Sequence, residues 1–436
     1  MTDLGTLAPK IQTFFTQTAN TVAGTIGFVE RISKLTGALF LQTLTFGFLD
    51  KPDASLSELT ETSHDLGVTI TKQGLQTRIE NAVPFLTEMF QQALALFRNE
   101  LPLELKTLHQ FTAIFLTDSS TVALPDAMQD EFPGCGGAGS DAAVKIQLTF
   151  EFLRGVIAGI CLQAGRSPDQ SYTGELQAIT PGALYLSDLG YFVLSRFRTL
   201  DERQAYFLSR FDTQTALFTA TGEPRDLLAW LRAHPEPQFE EDVRIGSHER
   251  LACRMVVVRV PQAVADARRR KAYETARRKG RTPSERHLAL MAWTLFITNV
   301  PATMLTLRQV MVLYTVRWQI ELIFKLWKSE CALDRVSGLH RERVLSELYA
   351  KLIGIVVMQF LLAPYRDGER ELSVVKVVHI IQHHILHVIE RLGNLEQLTA
   401  TLQELAMRFL KNGMKDKRQE RLTTSQDIRA LEAAFA

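Results

Sequence analysis

The sequence predicts an α/β protein whose N- and C-terminal regions are helical. Short apolar runs rich in β-branched residues recur between residues 111 and 211, and such runs are typical of buried strands. A further group of strand-like runs lies between residues 212 and 300. Residues 1–105 and the chain beyond about residue 306 have helical character instead. We therefore expect a sheet formed by the middle of the chain, with helices before and after it in sequence.

Length and composition are those of a globular protein. The chain has 436 residues, of which 46% are hydrophobic and 22% charged, and this length corresponds to about two to four domains. The net charge is 49 − 48 = +1. A positive field over the whole protein is therefore absent, and any binding of nucleic acid must depend on local basic patches.

The cysteines and the apolar runs indicate the compartment. The four cysteines form no CxxC pair, which argues against a zinc knuckle or a disulfide framework and fits a reducing environment. No basic segment followed by an apolar core begins the chain, so we expect no signal peptide. The longest apolar run, residues 352–363, is too short to span a bilayer. We expect a cytoplasmic protein with no membrane partner.

Residues 1–105 are predicted to form a helical DNA-binding region, with a possible helix-turn-helix at residues 55–79. A helix, a turn near Gly67 and a second helix suit that motif. The start of the second helix would hold Thr71, Lys72, Gln73 and Gln76. An ordinary αα-hairpin is the more frequent structure with this pattern. Residues 1–110 also carry 8 basic and 11 acidic side chains, which weakens the DNA-binding interpretation.

Residues 106–211 contain most of the predicted strands. Runs at 111–120 and at the start of 182–197 each end with an aspartate, Asp118 and Asp188. Further strands are predicted at 143–152, 156–165 and 204–211. The glycine-rich segment 133–141 lacks a following Lys-Ser/Thr pair, so it is interpreted as a connector and not as a phosphate-binding P-loop. Because sites form at strand ends in α/β sheets, the two aspartates are candidate site residues.

Residues 212–300 are predicted to be mostly β, with a basic stretch at 266–287. That stretch has nine Lys or Arg residues and three acids, a net charge of +6. A solvated helix or a loop is the safer interpretation of one charged run, whereas contact with DNA phosphates is the functional one. The candidate contacts are Arg268, Arg269, Arg270, Lys271, Arg277 and Arg278. For Trp230 and Trp293 we favour core packing over base stacking.

The segment "YTVRWQIELIFKLWK", residues 314–328, places four polar side chains in an apolar run. On one continuous helix, at about 100° per residue, they would share a stripe about 60° wide. The four residues are Tyr314, Arg317, Glu321 and Lys328. A solvated face with an Arg317–Glu321 ion pair is one explanation. The other is a carboxylate directed into a site, with cations placed to meet anions.

Residues 346–436 are predicted to be helical. Residues 395–410 have an apolar face that suits either a dimerisation surface or a helix covering the core. His379, His383 and His387 have the spacing of metal ligands along a helix, but no Glu motif accompanies them. Three histidines on one helix face are more often a polar or packed surface, so we expect no metal there.

These motifs together resemble those of DDE transposases of the insertion-sequence-four family. The spacing Tyr-x2-Arg-x3-Glu-x6-Lys from Tyr314 to Lys328 matches the YREK signature of that family without a gap. Asp118-Ser119-Ser120 resembles its first Asp motif and Asp188-Leu189-Gly190-Tyr191 its second. Thr298-Asn299 precedes the Glu motif, as a Thr-Asn pair does in the family. The resemblance extends over roughly residues 110–360.

The resemblance implies a ribonuclease-H-like catalytic core, with residues 106–211 as its first part and 301–345 as its second. Residues 212–300 would be the β-rich insertion of the family. Asp118, Asp188 and Glu321 would be the catalytic carboxylates and would hold two Mg²⁺ ions, with Mn²⁺ as a substitute. Arg317 and Lys328, with Tyr314, would contact DNA phosphates.

The activity implied is cleavage at insertion-sequence ends and strand transfer into target DNA by cut-and-paste transposition. The partners implied are double-stranded DNA, both inverted-repeat ends and target, and a second copy of the chain in a synaptic homodimer. The location would be the bacterial cytoplasm, at the nucleoid. Two alternatives stay open: a nuclease of the same fold without strand transfer, and an inactive DNA-binding repressor derived from a transposase. The YREK spacing argues against the first, and the three carboxylates argue against the second.

Overall fold

The computed structural model describes residues 4–30, 34–97, 108–136, 139–365 and 372–416. These residues form two compact units, each assembled from segments that are distant in sequence. Unit 1 consists of the described residues of Met1–Glu104, Asp118–Ser167 and Gln319–Arg421. Unit 2 consists of the described residues of Leu105–Thr117 and Pro168–Trp318.

Fifteen α-helices occur in the described ranges. In chain order they are α1 (Ala8–Thr13), α2 (Ala19–Thr25), α3 (Gly37–Asp50), α4 (Leu56–Asp65), α5 (Lys72–Glu80), α6 (Val83–Leu96), α7 (Leu194–Glu202), α8 (Leu227–Ala233), α9 (Gln262–Arg278), α10 (Glu285–Leu290), α11 (Leu307–Thr315), α12 (Trp318–Ser329), α13 (Arg341–Leu362), α14 (Val374–Glu390) and α15 (Leu395–Asn412). The helical ends predicted from the sequence are therefore confirmed within these ranges.

Ten strands occur in the same ranges. They are β1 (Ile114–Leu124), β2 (Ala142–Glu151), β3 (Val156–Ala164), β4 (Leu184–Ser187), β5 (Tyr206–Arg210), β6 (Leu217–Thr219), β7 (Pro224–Arg225), β8 (Gln238–Ile245), β9 (Leu251–Arg259) and β10 (Trp293–Thr298). The strands predicted at 143–152, 156–165 and 204–211 correspond to β2, β3 and β5.

Helix α13 forms the centre of unit 1. It is buried along almost its whole length and packs against α3, α5, α6 and β3. The segment Arg341–Tyr365 is long and apolar enough to cross a membrane, but 89% of its most apolar window is buried in the protein. A core helix has these properties too. The apolar run at residues 352–363 covers only part of the buried helix, because the charged residues Arg343, Glu347 and Lys351 before it are also buried.

Helices α4 and α5 confirm the two helices predicted at residues 55–79. Ser55 caps α4 through a capping box with Glu58, which fixes the first turn. The chain then turns at Gly67, whose φ of 79° is in the left-handed region that favours glycine. Thr71 accepts a hydrogen bond from the amide of Gly74 and begins α5. Leu75 and Ile79 of α5 are buried, and the helix packs against α13.

The sheet of unit 2 combines three parallel strands with an antiparallel extension. Its hydrogen-bonded order is β1-β4-β5-β10-β9-β8-β6-β7. Strand β4 pairs in parallel with β1 and with β5, whereas β10 is antiparallel to β5 and β9. In unit 1, β2 pairs with β3 in antiparallel fashion, and β1 is the next strand in the order after β2. This mixed α/β arrangement confirms the predicted fold class.

Strand β1 is longer than predicted. The sequence run 111–120 appeared to end at the aspartate, but β1 continues to Leu124, so Asp118 lies inside the strand. The apolar alternation weakens after Thr117, whereas the strand continues because it has β2 as a neighbour on the other edge. The prediction for Asp188 is correct, since β4 ends at Ser187.

The segment 212–300 contains more helix than predicted. Its strands include β8, whose sequence "QFEEDVRI" alternates in burial. The basic stretch forms the exposed helix α9 followed by α10. Trp230 and Trp293 are buried in the hydrophobic core of unit 2, so the preference for core packing is confirmed.

Candidate active site

In unit 2 the two aspartate-bearing strands are paired in register. Thr117 of β1 is the partner of Ser187 of β4 in the parallel pair. The next residue in each strand is an aspartate, Asp118 after Thr117 and Asp188 after Ser187. Asp188 then begins a short 3-10 turn, in which its carbonyl accepts a hydrogen bond from Tyr191. Two of the candidate carboxylates therefore follow residues that are paired in the sheet of unit 2.

A buried ion pair contacts the residue before Asp118 in unit 2. Glu175 forms an ion pair with Arg196, and their side chains are 1% and 5% exposed. The Thr117 hydroxyl donates a hydrogen bond to the same carboxylate. The Arg196 guanidinium lies over the ring of Tyr191, 5.2 Å from its centroid. The pair thus connects the residue before Asp118 with the turn that follows Asp188.

Tyr314 of α11 contacts Asp188 in unit 2. Its hydroxyl approaches Asp188 Oδ1 at 3.4 Å, and its ring packs against Phe296. Burial and, next, the charge of Asp188 raise the pKa of Tyr314 above its usual range. The phenol therefore stays protonated and can donate to the carboxylate. The Arg317 guanidinium lies 5.9 Å from the Tyr314 ring centroid, so these two residues of the signature are in contact with each other.

The segment 314–328 is not one continuous helix, which corrects the sequence interpretation. Helix α11 ends at Thr315 and α12 begins at Trp318. The amides of Val316 and Arg317 bond to the carbonyls three residues earlier, as in a 3-10 turn. The β-branched pair Thr315-Val316 has low helix propensity, which favours the break. A single stripe of four side chains is therefore wrong, although Glu321 and Lys328 do share one face of α12.

Unit 1 brings Asp118 and Glu321 into one open cavity of about 570 Å³. Asp118 accepts a hydrogen bond from the amide of Ser119. Lys328 donates from Nζ to the carbonyl of Thr121 on β1, at 2.9 Å, which connects α12 to the strand that carries Asp118. The charged side chains lining the cavity are Asp118, Glu321, Lys325, Lys328, Asp334 and Arg335.

The donor chemistry of this cavity fits a hard divalent cation. Carboxylate oxygens are the protein ligands that Mg²⁺ prefers, and neither cysteine nor histidine lines the cavity. In the described parts of the chain, no three His, Cys, Asp or Glu side chains already form a close metal-binding group. On α14, His379 forms a hydrogen bond with Glu330.

The candidate DNA-binding side chains of α5 and α9 differ in their surroundings. Lys72 and Gln73 are exposed at the start of α5. On α9, Arg268 donates to the Trp293 carbonyl and to Thr294, and Arg269 donates to Leu288 and Asp266. These two arginines are half-buried and already hydrogen-bonded within the protein, and their predicted contact with DNA stays a prediction. The side chains that remain exposed are Arg270, Lys271, Arg277 and Arg278.

Several residues of the site were not identified from the sequence. Lys325 follows Glu321 by one helical turn, and its spacing could have identified it. Asp334 and Arg335 lie beyond the helix, and Glu175 and Arg196 lie outside every motif, so no local pattern marks them. Neither Thr298 nor Asn299 lines the cavity. The Asn299 side chain instead accepts a hydrogen bond from the Phe207 amide of β5 and donates one to the Ala205 carbonyl.

Comparison with known proteins identifies the family. The family described as Transposase DDE domain matches residues 109–357. The transposase for insertion sequence element IS231F of Bacillus thuringiensis subsp. israelensis is 28% identical over 82% of this chain and 80% of its own length. The transposase for IS1151 of Clostridium perfringens is 27% identical over 94% and 93%.

A solved structure, the piggyBac transposase synaptic complex with hairpin DNA, covers 96% of this chain and 87% of its own at 10% identity. Its TM-score of 0.48 is too low to support an argument. The family match spans more than half of the chain, contains all three candidate carboxylates and agrees with the relatives matched over most of its length. The chain therefore belongs to the Transposase DDE domain family and is a transposase.

Proposed function

We propose that Asp118, Asp188 and Glu321 are the catalytic carboxylates of this transposase. The observation that carries the proposal is the shared cavity of Asp118 and Glu321 in unit 1. The register of β1 and β4, each continuing into its aspartate, supports the third member. Enzymes of this family generally depend on a divalent metal. We propose that the three carboxylates hold two Mg²⁺ ions, for which Mn²⁺ can substitute.

The reaction proposed is phosphodiester cleavage at insertion-sequence ends followed by strand transfer into target DNA. Both steps are in-line phosphoryl transfers, in which positioning and charge neutralisation account for most of the catalysis. The ions would supply activation of the attacking oxygen and stabilisation of the leaving one. The chain's own residues orient the DNA: Lys328 and Arg317 carry the charges suited to flanking phosphates. Tyr314 orients the Asp188 carboxylate through its hydroxyl.

The partners follow from this chemistry. The substrate is double-stranded DNA, comprising the inverted-repeat ends and the target. The proposed DNA contacts lie at the exposed start of α5 and on the exposed face of α9. They are Lys72, Gln73, Arg270, Lys271, Arg277 and Arg278. Two ends must be joined in one event, so a homodimer is proposed for the synaptic complex. The location proposed is the bacterial cytoplasm, at the nucleoid.

The assignment is tested with the isosteric changes Asp118→Asn, Asp188→Asn and Glu321→Gln. Each variant is assayed for Mg²⁺-dependent nicking of a duplex that carries an insertion-sequence end, and for binding of that duplex in a chelator. We expect nicking to be lost and binding to be retained. Asp130→Asn is the matched control, because Asp130 is an exposed aspartate of unit 1 outside the cavity. Nicking at the wild-type rate by any of the three variants contradicts the assignment.

Strand transfer is tested separately from cleavage. Wild-type protein is incubated with pre-cleaved end DNA and a supercoiled plasmid, and the covalently joined product is quantified. We expect joined donor and target DNA that disappears in the Asp118→Asn variant. Cleavage without any joined product would instead identify a nuclease of the same fold, and binding without either product would identify a repressor.

A further inference from the structure

The segment that follows α12, residues 330–338, forms one wall of the cavity described above. Its side chains Asp334 and Arg335 line the cavity together with Asp118 and Glu321. The segment has little regular structure, yet its backbone is constrained. Ala332 adopts a left-handed φ of 43°, and Gly338 has a φ of 94°. Such conformations in a non-glycine residue persist only where the surrounding structure holds them.

A buried ion pair on α13 holds this segment in place. Lys351 and Glu347 are one turn apart, their charged ends are 2.7 Å apart, and each side chain is 1% exposed. Lys351 also donates to the carbonyls of Ala332 and Arg335, at 3.1 and 2.6 Å. Glu347 accepts from the amide of Ser337 at 3.0 Å. All three ammonium protons of Lys351 are therefore used, and two of them bond to the segment.

This arrangement fixes the backbone but leaves the side chain of Arg335 available. Its carbonyl is bonded to Lys351, whereas its guanidinium is exposed and makes no hydrogen bond or ion pair with another residue in the described ranges. Lys328, across the cavity, already donates to Thr121. An arginine whose backbone is already fixed loses less conformational entropy on binding than one on a free loop.

We infer that Arg335 contacts a phosphate of the bound DNA end, and that the Glu347–Lys351 pair is the positioning device for this contact. The inference rests on the proposed function of the cavity. A guanidinium presents a planar fork that matches two phosphate oxygens. The neighbouring Asp334 carboxylate repels phosphate, which restricts the favourable approach to the Arg335 side. Lys325, also exposed at the cavity, adds positive charge along α12.

The experiment measures equilibrium binding of a labelled insertion-end duplex, in a chelator, over a series of salt concentrations. One lost phosphate contact lowers the slope of log K against log salt by about 0.9. We expect this decrease, with several-fold weaker binding, for Arg335→Gln and a slope near wild type for Arg335→Lys. Arg166→Gln is the matched control, because Arg166 is an exposed arginine of unit 1 outside the cavity. An unchanged slope for Arg335→Gln, or an equal decrease for Arg166→Gln, overturns the inference.

The positioning role is tested with the double variant Glu347→Leu/Lys351→Met, which replaces the buried pair by apolar residues and keeps its volume. We expect the same decrease in slope as for Arg335→Gln, and no further decrease when Arg335→Gln is added. A folded double variant with the wild-type slope refutes the positioning role. If thermal melting shows that it does not fold, the comparison of the Arg335 variants decides the inference.

Binding in a chelator needs no cleavage, so this result is separate from the test of the catalytic carboxylates. Nicking that survives in the Asp118, Asp188 and Glu321 variants would defeat the proposed function while leaving the Arg335 measurement valid. Conversely, a wild-type slope for Arg335→Gln beside inactive carboxylate variants would defeat only the further inference.

Discussion

Removing one partner of the buried Glu175–Arg196 pair tests whether unit 2 depends on this internal charge. The change Arg196→Met keeps the apolar length of the side chain and removes the guanidinium. Among the residues that the structure describes, Glu175 would then keep only the Thr117 hydroxyl as a hydrogen-bond partner. Because both side chains are at most 5% exposed, solvent cannot compensate.

The expected loss is large. Breaking a buried ion pair by removing one partner costs about 3–5 kcal/mol, since an uncompensated charge is left inside. The assay is urea denaturation followed by tryptophan fluorescence. The signal comes from four tryptophans, of which Trp230 and Trp293 are buried in the core of the same unit. The matched control is Arg286→Met, because Arg286 forms a pair with Asp226 in unit 2 whose side chains are 48% and 52% exposed.

Exposed pairs contribute about 0–1 kcal/mol, so the control should unfold close to the wild-type midpoint. The double variant Glu175→Leu/Arg196→Met removes both charges and should recover much of the loss. The contrary result is that Arg196→Met lowers the free energy of unfolding by less than about 1 kcal/mol, no more than the control does. That result would show that the buried pair does not stabilise unit 2 and would refute the reasoning.

Three further predictions concern other contacts. Asn299→Ala should lower the free energy of unfolding by about 1–3 kcal/mol, because it leaves the Phe207 amide without its side-chain acceptor. Thermal melting measures the change, and the control Asn81→Ala, at an exposed helix end, should lower the free energy of unfolding by less. Hydrogen bonds from the Ser55 amide and hydroxyl, and then Lys51, lower the pKa of Glu58 to about 2, so its contribution to stability is present above about pH 4.5 and is lost as the pH falls towards 2. Glu58→Gln should flatten this part of the pH–stability curve, and an unchanged curve would contradict the assignment. Iodoacetamide should modify the exposed Cys135 and Cys161 in the native protein and spare the buried Cys253 and Cys331. Burial raises the pKa of the Cys161 thiol too, but it raises that of Cys331 to about 12 and that of Cys253 further; equal labelling of all four would refute this.

The strands of the core could be predicted because local composition determines them. Runs such as residues 143–152 are apolar and β-branched over the length of one strand, and the pattern is visible without tertiary information. The position of Asp188 after β4 follows from the same pattern. The extension of β1 past Asp118 could not be predicted this way, because a neighbouring strand and not side-chain alternation maintains it.

The polar residues of the interior were the least predictable. Glu347 and Lys351 interrupt an apolar run in the sequence and so suggest an exposed face, but they neutralise each other inside unit 1. Glu175 and Arg196 are 21 residues apart in the chain, and no periodicity relates them. The helix break before Trp318 was missed because the apolar content on both sides is uniform, whereas the break depends on two β-branched residues.

The composition of unit 1 from three separate stretches of chain limits how this transposase can be dissected. Helices α3, α5 and α6, which come from the first hundred residues, pack directly on α13. Deleting these N-terminal residues would expose the interior of unit 1, which contains Asp118 and Glu321. Loss of activity in such a truncation would therefore not show that the N-terminal helices recognise DNA. Single surface exchanges, such as Lys72→Gln, are the only informative way to ask whether those first helices touch DNA.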